Sequence, residues 1–425
     1  MARTAATRAW IVALAGLGIN LALGVLYSWS VIAKSLSKAV SEGGWGWSSG
    51  QASLPYAIAV GVFAVAMVFA GRAQDRFGPR IVASIGGALT GLGMIVASFA
   101  TPQSTLPITV GFGVLTGLGI GLGYAAATPA ALKWFPPSRK GLITGIVVAG
   151  FGLASVYIAP LTSWLLATQQ VSGPFRVLGV AFLIVTVGLA QLLKNPPAGY
   201  VALEAAPAAG ASASTRVADD YEWNEMVRTP QFALLWAMYA FSAFAGLMII
   251  GHMAKIAAAQ LTSIDLGFLL VAVLAVGNAS GRVVAGIVAD KIGGTRTMFG
   301  VFVLQAVLMG ALALSGSVAT LVPVAAAVGF CYGANLSLFP STTAEYFGTK
   351  NLGANYGLVF TAWGVGGVFG SLTAGTIVDS TGSYALSYAI AAGLCIVAAL
   401  LSFATKPPAP RVQSIPMPSR ADRAA

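Results

Sequence analysis

Apolar positions in this chain come in blocks rather than in the alternation of a half-buried strand. Runs of about 20 apolar residues, the length needed to cross roughly 30 Å of hydrocarbon, fall at 10–33, 51–72, 79–100, 106–131, 141–168 and 174–193. They recur at 231–256, 264–289, 296–316, 319–343, 351–378 and 383–404. Short polar breaks separate them. The pattern predicts an all-α membrane protein of twelve transmembrane helices, arranged as two six-helix bundles. The expected division is an N-terminal bundle at 1–194, a cytoplasmic linker at 195–230, a C-terminal bundle at 231–405 and a disordered tail at 406–425.

The two sets repeat each other. GRAQDRFGPR (71–80) follows the second run and GIVADKIGGTR (286–296) follows the eighth, placing Asp75 and Asp290 215 residues apart. LKWFPPSRKG (132–141) and AEYFGTKNLG (344–353) form a second matched pair after the fourth and tenth runs. Parallel repeats related by a pseudo-two-fold axis place a ligand site at their interface, near mid-membrane. The linker is rich in Ala, Pro, Gly and Ser, as flexible connectors are. It ends in the acidic stretch ADDYEWNEM, where a short interfacial helix is expected.

Composition agrees with burial in lipid: 57% of the 425 residues are hydrophobic and 8% charged, against about 25% charged in soluble domains. The net charge of +11 would suggest nucleic acid only if it formed one face of a soluble domain. With both termini in the cytoplasm, 18 of the 23 Lys and Arg fall on the cytoplasmic side and four (Lys34, Lys38, Arg176 and Lys255) on the other. Positive-inside asymmetry therefore accounts for the charge, and no nucleic-acid partner is expected. The lipid bilayer is the expected surroundings, in a bacterial inner (plasma) membrane. The opening MARTAATRAW and its apolar run exceed a signal-peptide core and are read as the first span.

Conventional chemistry is scarce. One histidine and two cysteines, Cys331 and Cys395 in apolar runs, cannot assemble a zinc or haem site, so no metal and no cofactor is expected. GLGIGLG (117–123) follows no strand and is better explained by close helix contacts than by a dinucleotide loop. No phosphate-binding GxxxxGK[ST] loop and no catalytic Ser, His and Asp arrangement is present, so an enzyme is not expected.

Arg282, in AVGNASGRVVAGIVADK (275–291), is the only Lys or Arg well inside a run. Insertion scales put an arginine at a helix centre at roughly +2.5–3.5 kcal/mol, so such residues usually face a cavity or a partner and mark a transport path. Arg282 lies about 12 Å above Asp290 at 1.5 Å per residue. Asn278 stands one turn farther out on the same face. Ala275, Gly281, Ala285 and Gly286 keep the neighbourhood small, which is expected to leave room for a ligand. Asp75, Asp265, Asp290, Glu345 and Asp379 all lie at span ends. The expected counter-ion of Arg282 is thus the substrate. His252, late in the seventh run, is a substrate-contact or proton-relay candidate, with an outer gate or interfacial role as the alternative. Tyr27, Tyr124, Tyr332 and Trp363 fall mid-span and are candidates to line the path, with Asn20 and Asn335 weaker ones.

At Gly71, Asp75, Arg76, Gly78 and Arg80, with Asp290 and Lys291 as a degenerate copy, the chain resembles the major facilitator superfamily. The resemblance implies that these residues lock the cytoplasmic side of the outward-open state. LYSW (26–29), GYAAATPAALKWFP (123–136), MVRTPQF (226–232), LSLFPSTTAEYFG (336–348), NYG (355–357) and Arg282 resemble its oxalate–formate antiporter and monocarboxylate transporter branch, in which helices one, four, seven, ten and eleven line the cavity. Two positions depart from that pattern. Trp363 stands where the oxalate antiporter carries a lysine, and Asn278 where animal lactate–proton symporters carry an aspartate.

One cation without a second argues for a monoanion. The expectation is a secondary transporter that moves a small monocarboxylate, L-lactate above others, together with a proton, working as a monomer. Arg282 would bind the carboxylate, with Asn278 and His252 near its polar end. The rivals are an obligatory anion exchanger of the oxalate–formate kind and a receptor that keeps the fold without transport.

Overall fold

The structure is a computed structural model that describes residues 2–197, 199–200, 219–260 and 267–409. The linker between 201 and 218, Asp265, and the tail from 410 onward lie outside the described residues. Twelve helices long and apolar enough to span a membrane are present among them. They are α1 (Ala6–Ser37), α2 (Ser49–Phe77), α3 (Pro79–Ala97), α4 (Leu106–Leu132), α5 (Lys140–Gln169) and α6 (Ser172–Ala190). The second set is α7 (Pro230–Gln260), α8 (Gly267–Ile292), α9 (Gly294–Leu314), α10 (Val318–Phe347), α11 (Leu352–Thr381) and α12 (Ala385–Ala404). No strand occurs among the described residues beyond one isolated bridge between Thr101 and Ser104.

Local chemistry sets several boundaries. Ser48 and Ser317 open α2 and α10 with capping boxes, closed by Gln51 and Thr320 three residues on. That satisfies amides a helix start leaves free. Gly78 (φ 86°, ψ 160°) and Gly293 (φ 94°, ψ 150°) end α2 and α8 in the same conformation, one that is essentially restricted to glycine. The two chain reversals are therefore copies of each other, as the repeated sequence predicts. α1 tightens into a 3₁₀ turn at Gly24–Ser28, and α4 carries a π-helical stretch at Thr109–Thr116.

Packing repeats as well. α1 packs on α5, α2 on α4 and α3 on α6. In the second set α7 packs on α11, α8 on α10 and α9 on α12. The sets meet along two matched seams, α5 with α8 and α11 with α2. Glycines bring the backbones together there. A Cβ added to Gly286 would sit 2.2 Å from the Gly141 carbonyl oxygen, and one added to Gly71 would sit 1.9 Å from that of Gly353. GLGIGLG serves the same end inside the first set: Cβ atoms on Gly119 and Gly121 would meet Gly86 O at 2.5 Å and Ala66 Cβ at 2.6 Å.

Candidate functional site

Arg282 is fully buried, at 0% exposure. Its Nε donates to Asn278 Oδ1 at 2.8 Å, an i−4 bond that α8 supplies from its own periodicity. Its Nη1 donates to the backbone carbonyl of Val148, on α5 of the other set. Nη2 has no hydrogen-bond partner, and no described carboxylate pairs with the guanidinium. A buried charge without an acceptor is costly, so one face of this cation is left for an acceptor the chain does not provide. Gly152 of α5 lies alongside, where a Cβ would be 3.2 Å from Nε.

The small residues of α8 have a different task from the one expected. A Cβ on Gly281 would meet Phe330 O at 2.0 Å, as one on Gly286 would meet Gly141 O. They admit neighbouring helices, so the room for a ligand does not come from them. The reason lies in direction: these positions face α10 and α5 across tight backbone contacts. A groove of about 630 Å³ between α8, α9 and α10, lined by Val276, Ser280, Leu304, Pro323, Ala327 and Phe330, is apolar. It includes exposed Val276 and Leu304, on a side of α8 away from Arg282.

Next to Gly152 in the chain, Phe151 belongs to a cluster of aromatic rings from both sets. Tyr27 and Tyr124 set their edges against Phe151 at centroid distances of 5.8 and 5.5 Å. Trp363 Nε1 donates to the Tyr332 hydroxyl at 2.9 Å, satisfying both buried polar groups. All four expected aromatics thus belong to one assembly, whose hub is Phe360. It contacts Phe63 (5.5 Å) and Tyr124 (5.8 Å) from the first set, and Tyr239 (6.3 Å), Tyr356 (5.7 Å) and Trp363 (4.9 Å) from the second. Phe63, Phe151, Tyr239, Tyr356 and Phe360 were not legible as site residues, because a buried aromatic on a span looks like packing. One signal was available: Tyr356, Phe360 and Trp363 are spaced i, i+4, i+7, a single stripe of α11.

The remaining candidates separate. His252 Nδ1 lies 3.1 Å from the Tyr384 hydroxyl, where α12 begins. That is roughly 33 Å along α7 from Pro230, against about 12 Å for Arg282 along α8 from Asp290. His252 thus neighbours Tyr384, far along the bundle from Asp290, while Asn278 bonds the guanidinium. Asn20 donates to Val147 O at 2.8 Å and ties α1 to α5. Asn335 joins Ser242 and Gln305 in a polar network within the second set. Truncating Asn278 to alanine leaves the Arg282 Nε without its acceptor, a loss of about 1–3 kcal/mol. Substrate affinity measured by calorimetry is expected to fall about 5- to 150-fold; an unchanged value would remove Asn278 from the site.

The signature residues close one end of the bundle, the end rich in Lys and Arg. Asp75 Oδ2 accepts from the Ala354 amide at 2.8 Å at the start of α11, and its Oδ1 lies 3.7 Å from Lys133 Nζ. Asp290 accepts from the Gly141 and Leu142 amides, both at 2.7 Å, at the start of α5. Each carboxylate thus caps a helix N-terminus of the opposite set, where free amides and the helix dipole favour an anion. Among the described residues, neither carboxylate forms an ion pair with an arginine of the signature. Arg80 donates to Gln191 at 2.6 Å and Arg76 lies over the Phe77 ring at 5.4 Å, while Lys291 is exposed. Burial lowers the Lys133 ammonium pKa below its usual range, and Asp75 pulls it partly back. Among the described residues no cluster of three or more His, Cys, Asp or Glu could hold a metal ion.

The Major Facilitator Superfamily model matches residues 9–258 and 249–421. The chain is 30% identical to the uncharacterized MFS-type transporter YhjX of Escherichia coli, covering 84% of this chain and 86% of that one. It is 30% identical to the oxalate:formate antiporter of Oxalobacter formigenes, over 84% and 82%. It is 26% identical to monocarboxylate transporter 12 of Xenopus laevis, over 77% and 74%. Among solved structures the proton:xylose symporter XylE superposes with a TM-score of 0.70 at 14% identity, covering 94% of this chain and 96% of that one.

Proposed function

This chain belongs to the Major Facilitator Superfamily, and we propose that within it the protein carries a small monocarboxylate, L-lactate foremost, across the membrane together with a proton. The observation that supports this most is Arg282, a fully buried cation between the two sets with no carboxylate of its own and an unpartnered Nη2. A guanidinium fork binds a carboxylate through two parallel hydrogen bonds, strongly where water is excluded. Relatives named as an oxalate:formate antiporter and monocarboxylate transporters point to the same class of anion. Trp363, bonded to Tyr332, gives the far side of the site an aromatic wall and no second charge. A monoanion with a methyl group fits that wall; a second carboxylate would be left without a cation.

Substrate binding neutralises Arg282. The loaded site then resists closure less than the empty one, which links occupancy to alternation of access around the site. With both termini in the cytoplasm, the end where Asp75 and Asp290 cap the opposite set's helices would face the cytoplasm, as expected of an inside-closed state. The proton enters with the anion, so that no net charge moves.

Labelled L-lactate uptake into proteoliposomes tests this reading. An inward proton gradient alone is expected to drive accumulation above equilibrium. Flux that requires a second anion on the opposite side, whatever the gradient, would instead assign the protein to exchange, the activity named for the Oxalobacter relative. Saturable binding without any flux would identify a receptor. Trp363→Lys provides a further check: by placing a second cation opposite Arg282 it is expected to admit oxalate, at the expense of lactate. A variant that still prefers lactate would sever the link between charge count and substrate.

A further inference from the structure

The acidic end of the linker is not a free connector. From Asp219 to Met226 it lies across the closed end of the bundle. Tyr221 N donates to Phe347 O at 3.0 Å, and Asn351 and Asn355 both donate through Nδ2 to Tyr221 O, at 3.1 and 3.0 Å. The Lys350 amide donates to Asp220 Oδ1 at 3.0 Å, and the Tyr221 ring meets Phe347 edge-on at 5.4 Å. Met226 is fully buried. All of these anchors belong to α10, α11 and the turn between them, in the second set.

The next residues reach the other set. The Arg72 guanidinium, on α2, lies 4.1 Å from the centroid of the Trp223 ring, and its Nε is buried without a hydrogen-bond partner. The charge of Asp220 also acts on Lys133 and Lys140. The segment Trp223–Met226 is a single helical turn, held by reciprocal Glu222 and Glu225 capping, so the ring is presented from a fixed backbone.

We propose that Asp219–Met226 is a strap that holds the Lys- and Arg-rich end of the bundle closed, anchored on α10 and α11 and latched to α2 by the Arg72–Trp223 cation–π contact. When the two sets separate at this end, Tyr221, Asp220 and Met226 travel with α10 and α11, and the contacts that break are Arg72–Trp223 and the attraction of Asp220 to Lys133 and Lys140. Separation of the sets at this end would break these interactions, so they bias the equilibrium toward the closed state. An exposed cation–π pair is worth about 0.5–1 kcal/mol, so losing it changes the open-to-closed ratio by about two- to fivefold. The strap adds to the Asp75 and Asp290 caps, and being a linker segment it can be displaced without disturbing any span. The inference rests on the reading of the protein as an alternating-access transporter.

Spin labels at Ser138→Cys and Arg296→Cys, exposed positions at this end in opposite sets, report the opening by pulsed electron–electron distance measurement in nanodiscs. Native Cys331 and Cys395 are buried. Trp223→Ala and Arg72→Gln are each expected to raise the wide-distance population about two- to fivefold. Trp223→Phe and Arg72→Lys, which keep a ring face and a cation, should stay near the parent. The double variant should match either single one. Unchanged distances in both Trp223→Ala and Arg72→Gln, or strictly additive effects, would overturn the strap. No wide population in any variant, Asp290→Ala included, would overturn the alternating-access reading along with it. Because the readout needs no substrate, neither result depends on which anion is carried.

Discussion

Arg282→Lys is expected to lower kcat/KM for L-lactate uptake by about 10- to 100-fold, the factor that corresponds to losing a hydrogen bond to a charged group. The substitution keeps the charge, so it isolates geometry. Arginine presents three nitrogens at once: Nε to Asn278, Nη1 to Val148 O, and Nη2 buried without a partner. Lysine has one nitrogen for all three and cannot present the planar fork that matches a carboxylate. Arg282→Gln removes the charge as well and is expected to abolish saturable uptake. Initial rates in proteoliposomes, normalised to reconstituted protein, measure both. A lysine variant within threefold of the parent at unchanged KM would mean that Arg282 holds the helices and not the substrate.

Gly286→Val is expected to reduce uptake at least tenfold by a different route. The added Cβ would approach Gly141 O to 2.2 Å, so α5 and α8 must separate before the closed end can form. Separation also stretches the 2.7 Å bonds from the Gly141 and Leu142 amides to Asp290. Overpacking of this kind costs typically 1–3 kcal/mol, enough to shift the closed state from dominant to minor. The same spin-labelled pair should report a wide basal distance in this variant. Gly310→Ala serves as the control, because a Cβ there meets nothing within 4 Å. Uptake at parental rate in Gly286→Val would show that this seam does not gate transport.

Gly286 illustrates how far the chain could be read in one dimension. Its small size is visible in the sequence and its purpose is not, since nothing in GIVADK names Gly141 as the neighbour across the seam. The lock residues behave alike. Asp75 and Asp290 stood out by their repeat, yet their partners are backbone amides at Ala354, Gly141 and Leu142. An amide has no side chain to give it a pattern. The arginines around Asp75 drew attention because charge is conspicuous, while the group that carries Arg72 is a tryptophan in a linker.

Twelve spans, their division into two repeats, the depth of Arg282 and the i−4 place of Asn278 follow from the sequence itself. Each is set by distance along the chain: the width of hydrocarbon, the rise of a helix and the 3.6-residue turn. What only the tertiary structure decided is which groups meet across the two seams. Val148 O on the guanidinium, Phe360 against Phe63, Tyr124 and Tyr239, His252 beside Tyr384, and Tyr221 beside Phe347 all join residues far apart in sequence. Apolar spans satisfy their own backbone and carry little sign of which neighbour they face. In such a bundle the sequence determines how deep a residue lies, and helix packing determines what it touches.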